Sequence, residues 1–201
     1  MTTKRRGKSR EIARSAISVL SEHGVRNARL ADIGAGLGMT GAHLLYYFES
    51  KTDLFMAALR IVESDLREKA VAAFADLPTA KERWRWLLNA AAPNGLRDSN
   101  LMMWLEAWTE AVHDPAVHQL ITELEAGWQG LVREVLEFGK TTGELEPDLD
   151  VDTFVEGFSA LLDGLTIRVV VGYRPVDKAR IVEICDRFAD SQLRWNTAAA
   201  V

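Results

Sequence analysis

Between Leu30 and Leu54 the chain reads LADIGAGLGMTGAHLLYYFESKTDL, and no other stretch limits the fold as tightly. Leu30, Ile33 and Leu37 recur at helical spacing, so a first short helix has one apolar face. Gly38 tolerates positive φ and can end that helix and turn the chain sharply. Thr40 is placed to cap a second helix whose inward residues are Leu44 and Phe48. Ser50, with Asp53 three residues on, has the spacing of a capping box and opens a third helix. Two short helices around a glycine corner make a helix-turn-helix, whose second member enters a DNA major groove.

The free face of that second helix carries suitable chemistry. Gly41 and Ala42 are small enough for close backbone approach to a phosphate, and His43 can exchange a hydrogen bond with a base edge or face solvent. Thr40, Tyr46, Tyr47 and Lys51 are candidate phosphate contacts, as is Arg29 at the start of the first helix; Tyr46 could instead pack beneath the helix pair. Charge is divided to match. Residues 1–55 hold nine Lys and Arg against five Asp and Glu, and the remainder holds 15 against 24, within a net charge of −5. A basic head on an acidic chain fits a protein that meets DNA only at its head.

Asp32-Ile33, Gly38-Met39-Thr40, Leu44, Tyr46, Phe48, Ser50-Lys51 and Leu54 together resemble the N-terminal signature of the TetR family of bacterial transcriptional regulators. The chain departs from that pattern at four places. Arg29 stands where a capping Ser or Thr is usual, Gly34 and Gly36 where Ala is usual, and Leu45 where an aromatic is common. Two glycines in so short a helix cost about 1 kcal/mol each relative to Ala.

The rest of the chain reads as helix throughout. Residues 1–8 are polar and basic and are expected to be unstructured alone, able to lie along a phosphate backbone or in a minor groove. Helix 1 is expected over 9–23, ended by Gly24, and helix 4 from Lys51 to about Phe74, as either a lever between head and body or a plain connector. Pro78, then Thr79 with Glu82, opens helix 5, which runs to about Ala92. Helix 6 covers 99–113, Asp114-Pro115 starts helix 7, which reaches Thr142, and Asp150 or Asp152 starts helix 8. The Val169-Val170-Val171 run could fray or turn extended before Gly172. Helix 9 covers about 176–195. The expected fold is all-α, a three-helix helix-turn-helix head over 1–50 and a helical bundle body over 51–201 that binds ligand and dimerises. Helices 8 and 9 are apolar over wide faces and would pair with their mates in a four-helix homodimer interface. A dimer places two recognition helices on the half-sites of a pseudo-palindromic operator in double-stranded DNA.

Six tryptophans in 201 residues is a high count, and Trp84, Trp104, Trp108 and Trp128 fall on helices 5 to 7. They are either core packing or the walls of a small-molecule pocket, with Met102, Met103, Phe158 and Leu162 as further wall residues and Glu106 and Arg168 as polar anchors. WLEAWTEAVHDP and LLDGLTIR are similar to the BetI-type branch of the family, a resemblance that implies sensing of choline or another small molecule. The implied function is a DNA-binding regulator, a repressor released from its operator by an effector. The alternative is an all-α binding protein or enzyme using the aromatic body. Catalytic residues, metal ligands and cofactors are not expected: His23, His43, His113 and His118 are scattered, and no nucleophile elbow, P-loop or dinucleotide fingerprint occurs. Cys185 on an apolar stripe reads as an inert thiol, and no apolar run is long enough for a membrane, so a cytoplasmic location is expected.

Overall fold

The computed structural model describes residues 3–173 and 176–196. Among these the chain forms nine helices and no strand: α1 Thr3–Asn27, α2 Leu30–Ala35, α3 Gly41–Leu44, α4 Lys51–Asp76, α5 Ala80–Ala91, α6 Ser99–Ala111, α7 Pro115–Thr142, α8 Val151–Val171 and α9 Lys178–Leu193. The caps read from the sequence set several boundaries. Thr40 Oγ1 accepts from the His43 N–H at the start of α3. Thr79 and Glu82 form a reciprocal capping box on α5, and Asp150 caps α8. Arg29 precedes α2 without a side-chain cap.

Helical packing sorts the chain into two compact units, with divisions inside α4 and α7: residues up to Ser64 with Arg97–Leu124, and Asp65–Leu96 with Glu125 onward. In this packing division α6, which packs on α1, and the first part of α7 share a buried core with α1 to α3 and the start of α4. In the first unit Ile12, Ala16, Leu20, Ile33, Leu44, Leu54, Phe55, Leu59 and Met103 are sealed from solvent. In the second, α5, α8 and α9 and the later part of α7 enclose Trp84, Leu87, Val132, Val135, Phe158, Ile181 and Cys185.

Three expectations are corrected. α1 begins at Thr3, not near Ser9, so within 1–8 the described residues from Thr3 onward are helical. The Arg5 guanidinium donates to the Tyr46 carbonyl at 2.6 Å, the Ser9 hydroxyl to the Arg5 carbonyl at 2.9 Å, and Lys8 pairs with Glu11 at 2.8 Å. These bonds give the extra turn partners that spacing alone does not reveal. Gly24 interrupts α1 with φ 73 and ψ 155, and helical geometry resumes over Val25–Asn27. The Val169–Val171 run stays helical to Gly172, because Val169 and Val170 are buried and packing outweighs the β-branched penalty.

Candidate nucleic-acid interface and effector site

The helix-turn-helix is built from close approaches. α2 is folded back on the turn so that the Met39 N–H donates to the Gly34 carbonyl at 2.8 Å. A Cβ at Gly34 would lie 2.5 Å from the Met39 oxygen, so the glycine is required there rather than merely tolerated. Gly38 turns the corner with φ 63. Leu44 and Phe48 point into the core, which leaves Ala42, His43, Leu45 and Tyr46 exposed and Gly41 and Tyr47 half-buried. The Tyr47 ring lies 5.7 Å from His43 and meets Tyr46 edge-on at 5.1 Å. Tyr46 is held from below by Arg5, whose guanidinium sits 4.8 Å over its ring. Arg29 and Thr40 are exposed on the same segment.

Lys51 is more constrained than its residue type implies. Its ammonium donates to the carbonyls of Arg26 at 2.9 Å and Ala28 at 3.0 Å, tying the start of α4 to the end of α1. One N–H remains for a phosphate.

The residues expected to line an effector pocket divide between the two packing units. Trp84, Trp128, Phe158 and Leu162 belong to the second. There the Trp84 ring is 4.6 Å from Phe158 and 5.7 Å from Phe154, Trp128 is 6.3 Å from Phe158, and the Trp128 indole N–H donates to the Ser159 hydroxyl at 3.1 Å. The buried Trp84 indole nitrogen has no hydrogen-bond partner. One turn beyond Ser159 stands Asp163, a group that pattern reading did not single out. Burial, and then the nearby charge of Glu125, pushes its carboxyl up to about 7. The fold therefore disfavours its charged form relative to an ordinary carboxyl, and the group stands on α8 five residues after Phe158. Arg168, by contrast, is exposed.

Met102, Met103, Trp104, Glu106 and Trp108 lie on α6 in the first unit. Met103 is fully buried in that core, Trp104 packs against it, and the Trp104 and Trp108 rings are 6.1 Å apart. Met102 and Glu106 border a cleft of about 310 Å³ with Ser21, His23, Arg26 and Glu110. The Glu106 carboxylate accepts from the Val25 N–H at 3.0 Å, and a Cβ at Gly24 would come within 3.0 Å of it. Glu110 takes the Arg26 guanidinium at 2.8 Å. Glu106 thus accepts the backbone N–H that follows the kink at Gly24 and braces α1 on α6 while also bordering the cleft.

Against known proteins, the family profile for the C-terminal part of BetI-type transcriptional repressors matches residues 80–194, more than half of the chain, and that for bacterial regulatory proteins of the tetR family matches residues 12–58. The chain belongs to the TetR family, in its BetI-type branch. It is therefore a helix-turn-helix transcriptional regulator rather than an enzyme. It is 26% identical over 187 residues to the HTH-type transcriptional regulator BetI of Escherichia coli strain K12 / DH10B, covering 92% of this chain and 93% of that one. The BetI of Rhizobium meliloti strain 1021 is 26% identical over 183 residues, covering 90% and 87%. A transcriptional regulator from Saccharomonospora viridis, crystallised in complex with choline, superposes with a TM-score of 0.84 at 27% identity, over 95% of this chain and 99% of that one. A TetR-family regulator from Rhodococcus sp. shares the fold, with a TM-score of 0.80 at 19% identity over 96% and 100%.

For this TetR-family chain the remaining chemistry is quiet. Among the described residues no three His, Cys, Asp or Glu side chains gather where they could hold a metal, and no helix is long and apolar enough to cross a membrane. Burial, with a smaller effect of Asp186, pushes the Cys185 thiol up to about 12. Almost none of it is thiolate near neutrality.

Proposed function

We propose that the chain is a cytoplasmic homodimeric repressor that binds a pseudo-palindromic operator through Arg29, Thr40–His43, Tyr46, Tyr47 and Lys51, and releases it when a small organic cation binds. The observation that carries the effector class is Asp163, a partly buried carboxyl that burial and Glu125 push up to about 7, on the same helix as Phe158, whose ring lies 6.3 Å from that of Trp128 on α7. A quaternary ammonium is attracted to an aromatic face and to a carboxylate, and its arrival would offset the cost of ionising Asp163. The choline bound to the Saccharomonospora viridis regulator supports the same class. Trp84, Trp128, Phe158 and Leu162 are the proposed walls, and Asp163 replaces Glu106 and Arg168 as the proposed anchor.

Dimerisation through α8 and α9 is supported by the outer face of α8. Gly157, Ala160 and Gly164 recur there at helical spacing, exposed, with open space beside both glycines. Effector binding would favour a state of the dimer in which the two heads no longer match two half-sites, and each 1.4 kcal/mol of preference lowers DNA affinity tenfold. Fluorescence anisotropy of a labelled duplex from the promoter of its own gene tests this reading. Added choline should release the DNA, and equal concentrations of a neutral alcohol should not. Release by both, or by neither, would argue against a cation site.

A further inference from the structure

We infer that Leu45 is a specificity-determining residue that reads the C5-methyl group of a thymine. This rests on the reading that the α3 surface meets DNA.

Leu45 is 50% exposed, beside a Tyr46 that is 61% exposed, in a segment where Leu44 and Phe48 already supply the core contacts. It lies three residues after the exposed Ala42 and shares its face, whereas Gly41, one residue earlier, packs closely against Leu30 and Ala31. Leu45 belongs to neither buried cluster, and half of its surface stays in water. An alkyl side chain cannot donate to a phosphate or pair with a polar base edge. The one apolar group that the major groove presents is the thymine methyl. A branched alkyl group on a groove-facing surface is therefore matched to a methyl and mismatched to cytosine, whose same edge carries no methyl.

Such readout needs a stiff mount, and Leu45 has one. Its N–H donates to the Gly41 carbonyl at 3.4 Å, and the next residue's N–H to the His43 carbonyl at 3.2 Å. Thr40 holds the front of the turn through the His43 N–H at 3.1 Å. Arg5 holds its back through the Tyr46 carbonyl at 2.6 Å and the Tyr46 ring. The Leu45 backbone is thus pinned on both sides, and its side chain can be presented in one direction before DNA arrives.

The test uses the full chain. A duplex consensus is first selected from a random pool, and each of its thymines is then replaced by deoxyuridine, which deletes only the methyl. For the wild type, one thymine per half-site should cost about three- to fivefold in affinity when replaced, the loss corresponding to one buried methyl. Leu45→Ala should abolish that sensitivity at that position and leave the other thymines as before. A deoxyuridine scan that is flat on a duplex the wild type still selects would overturn the assignment of Leu45 while leaving the DNA surface standing. Equal sensitivity in wild type and Leu45→Ala would overturn it too. Failure to enrich any duplex would remove the DNA reading itself, and this inference with it.

Discussion

Replacing Asp163 with Asn removes a charge the fold does not favour and keeps the shape of the side chain. Its folded carboxyl titrates at about 7 against an ordinary value of 3.8, chiefly through burial and then through Glu125. The folded state therefore keeps this proton to higher pH than the unfolded chain does. Stability is lost as pH rises from about 4, and the penalty is complete above about 7. At 1.36 kcal/mol for each pH unit the ceiling is roughly 4 kcal/mol, and partial exposure of the group brings a realistic figure to about 2 kcal/mol. For a chain of this size Asp163→Asn should then raise the melting temperature by about 4–8 °C at pH 8, and by less than half as much at pH 5. The assay is a pair of thermal melts of wild type and variant in buffers of equal ionic strength. The same melts with choline give the second readout: wild type gains stability and the variant does not. A variant destabilised equally at both pH values would refute the reasoning, because it would mean the carboxylate is a stabilising partner within the fold. A variant that responds fully to choline would remove Asp163 as the anchor.

Other outcomes follow from the packing. Gly34→Ala should destabilise by about 1–3 kcal/mol in denaturant titrations, because its methyl meets the Met39 carbonyl. Lys51→Ala should lower stability by about 1 kcal/mol without DNA present, since two carbonyls lose a charged donor; a purely phosphate-binding lysine would leave the melt unchanged. Trp84→Ala should cost about 3–5 kcal/mol, read by calorimetry, because a fully buried indole is removed from a ring cluster. Cys185 should resist an aromatic disulfide reagent in the native protein at pH 8 and react on unfolding.

The helix ends were legible because caps are local: Thr40, Thr79, Glu82 and Asp150 act within three residues of where they stand. The helix-turn-helix was legible because a glycine corner between apolar-faced short helices has few other uses. What escaped pattern reading depends on partners distant in sequence. The bond from the Val25 N–H, 81 residues away, to the Glu106 carboxylate has no local signal. Gly34 reads as a weakness of α2 until the Met39 carbonyl appears against it. The helical turn at Arg5 depends on Tyr46, 41 residues on. Asp163 did have a local signal, an acid within the apolar run FSALLDGL, but its weight comes from burial and from Glu125 on another helix.

The central claim, that the exposed face around α3 binds DNA, is tested most directly by measuring affinity for a selected duplex against salt. Wild type is compared with a His43→Ala/Tyr46→Ala variant whose melt is unchanged. The account predicts a straight log–log decline for wild type, at a slope of about −0.9 for each phosphate neutralised, with a weaker and less sequence-selective complex for the variant. Affinity independent of salt, or a variant that binds the same duplex as tightly as wild type, would contradict it.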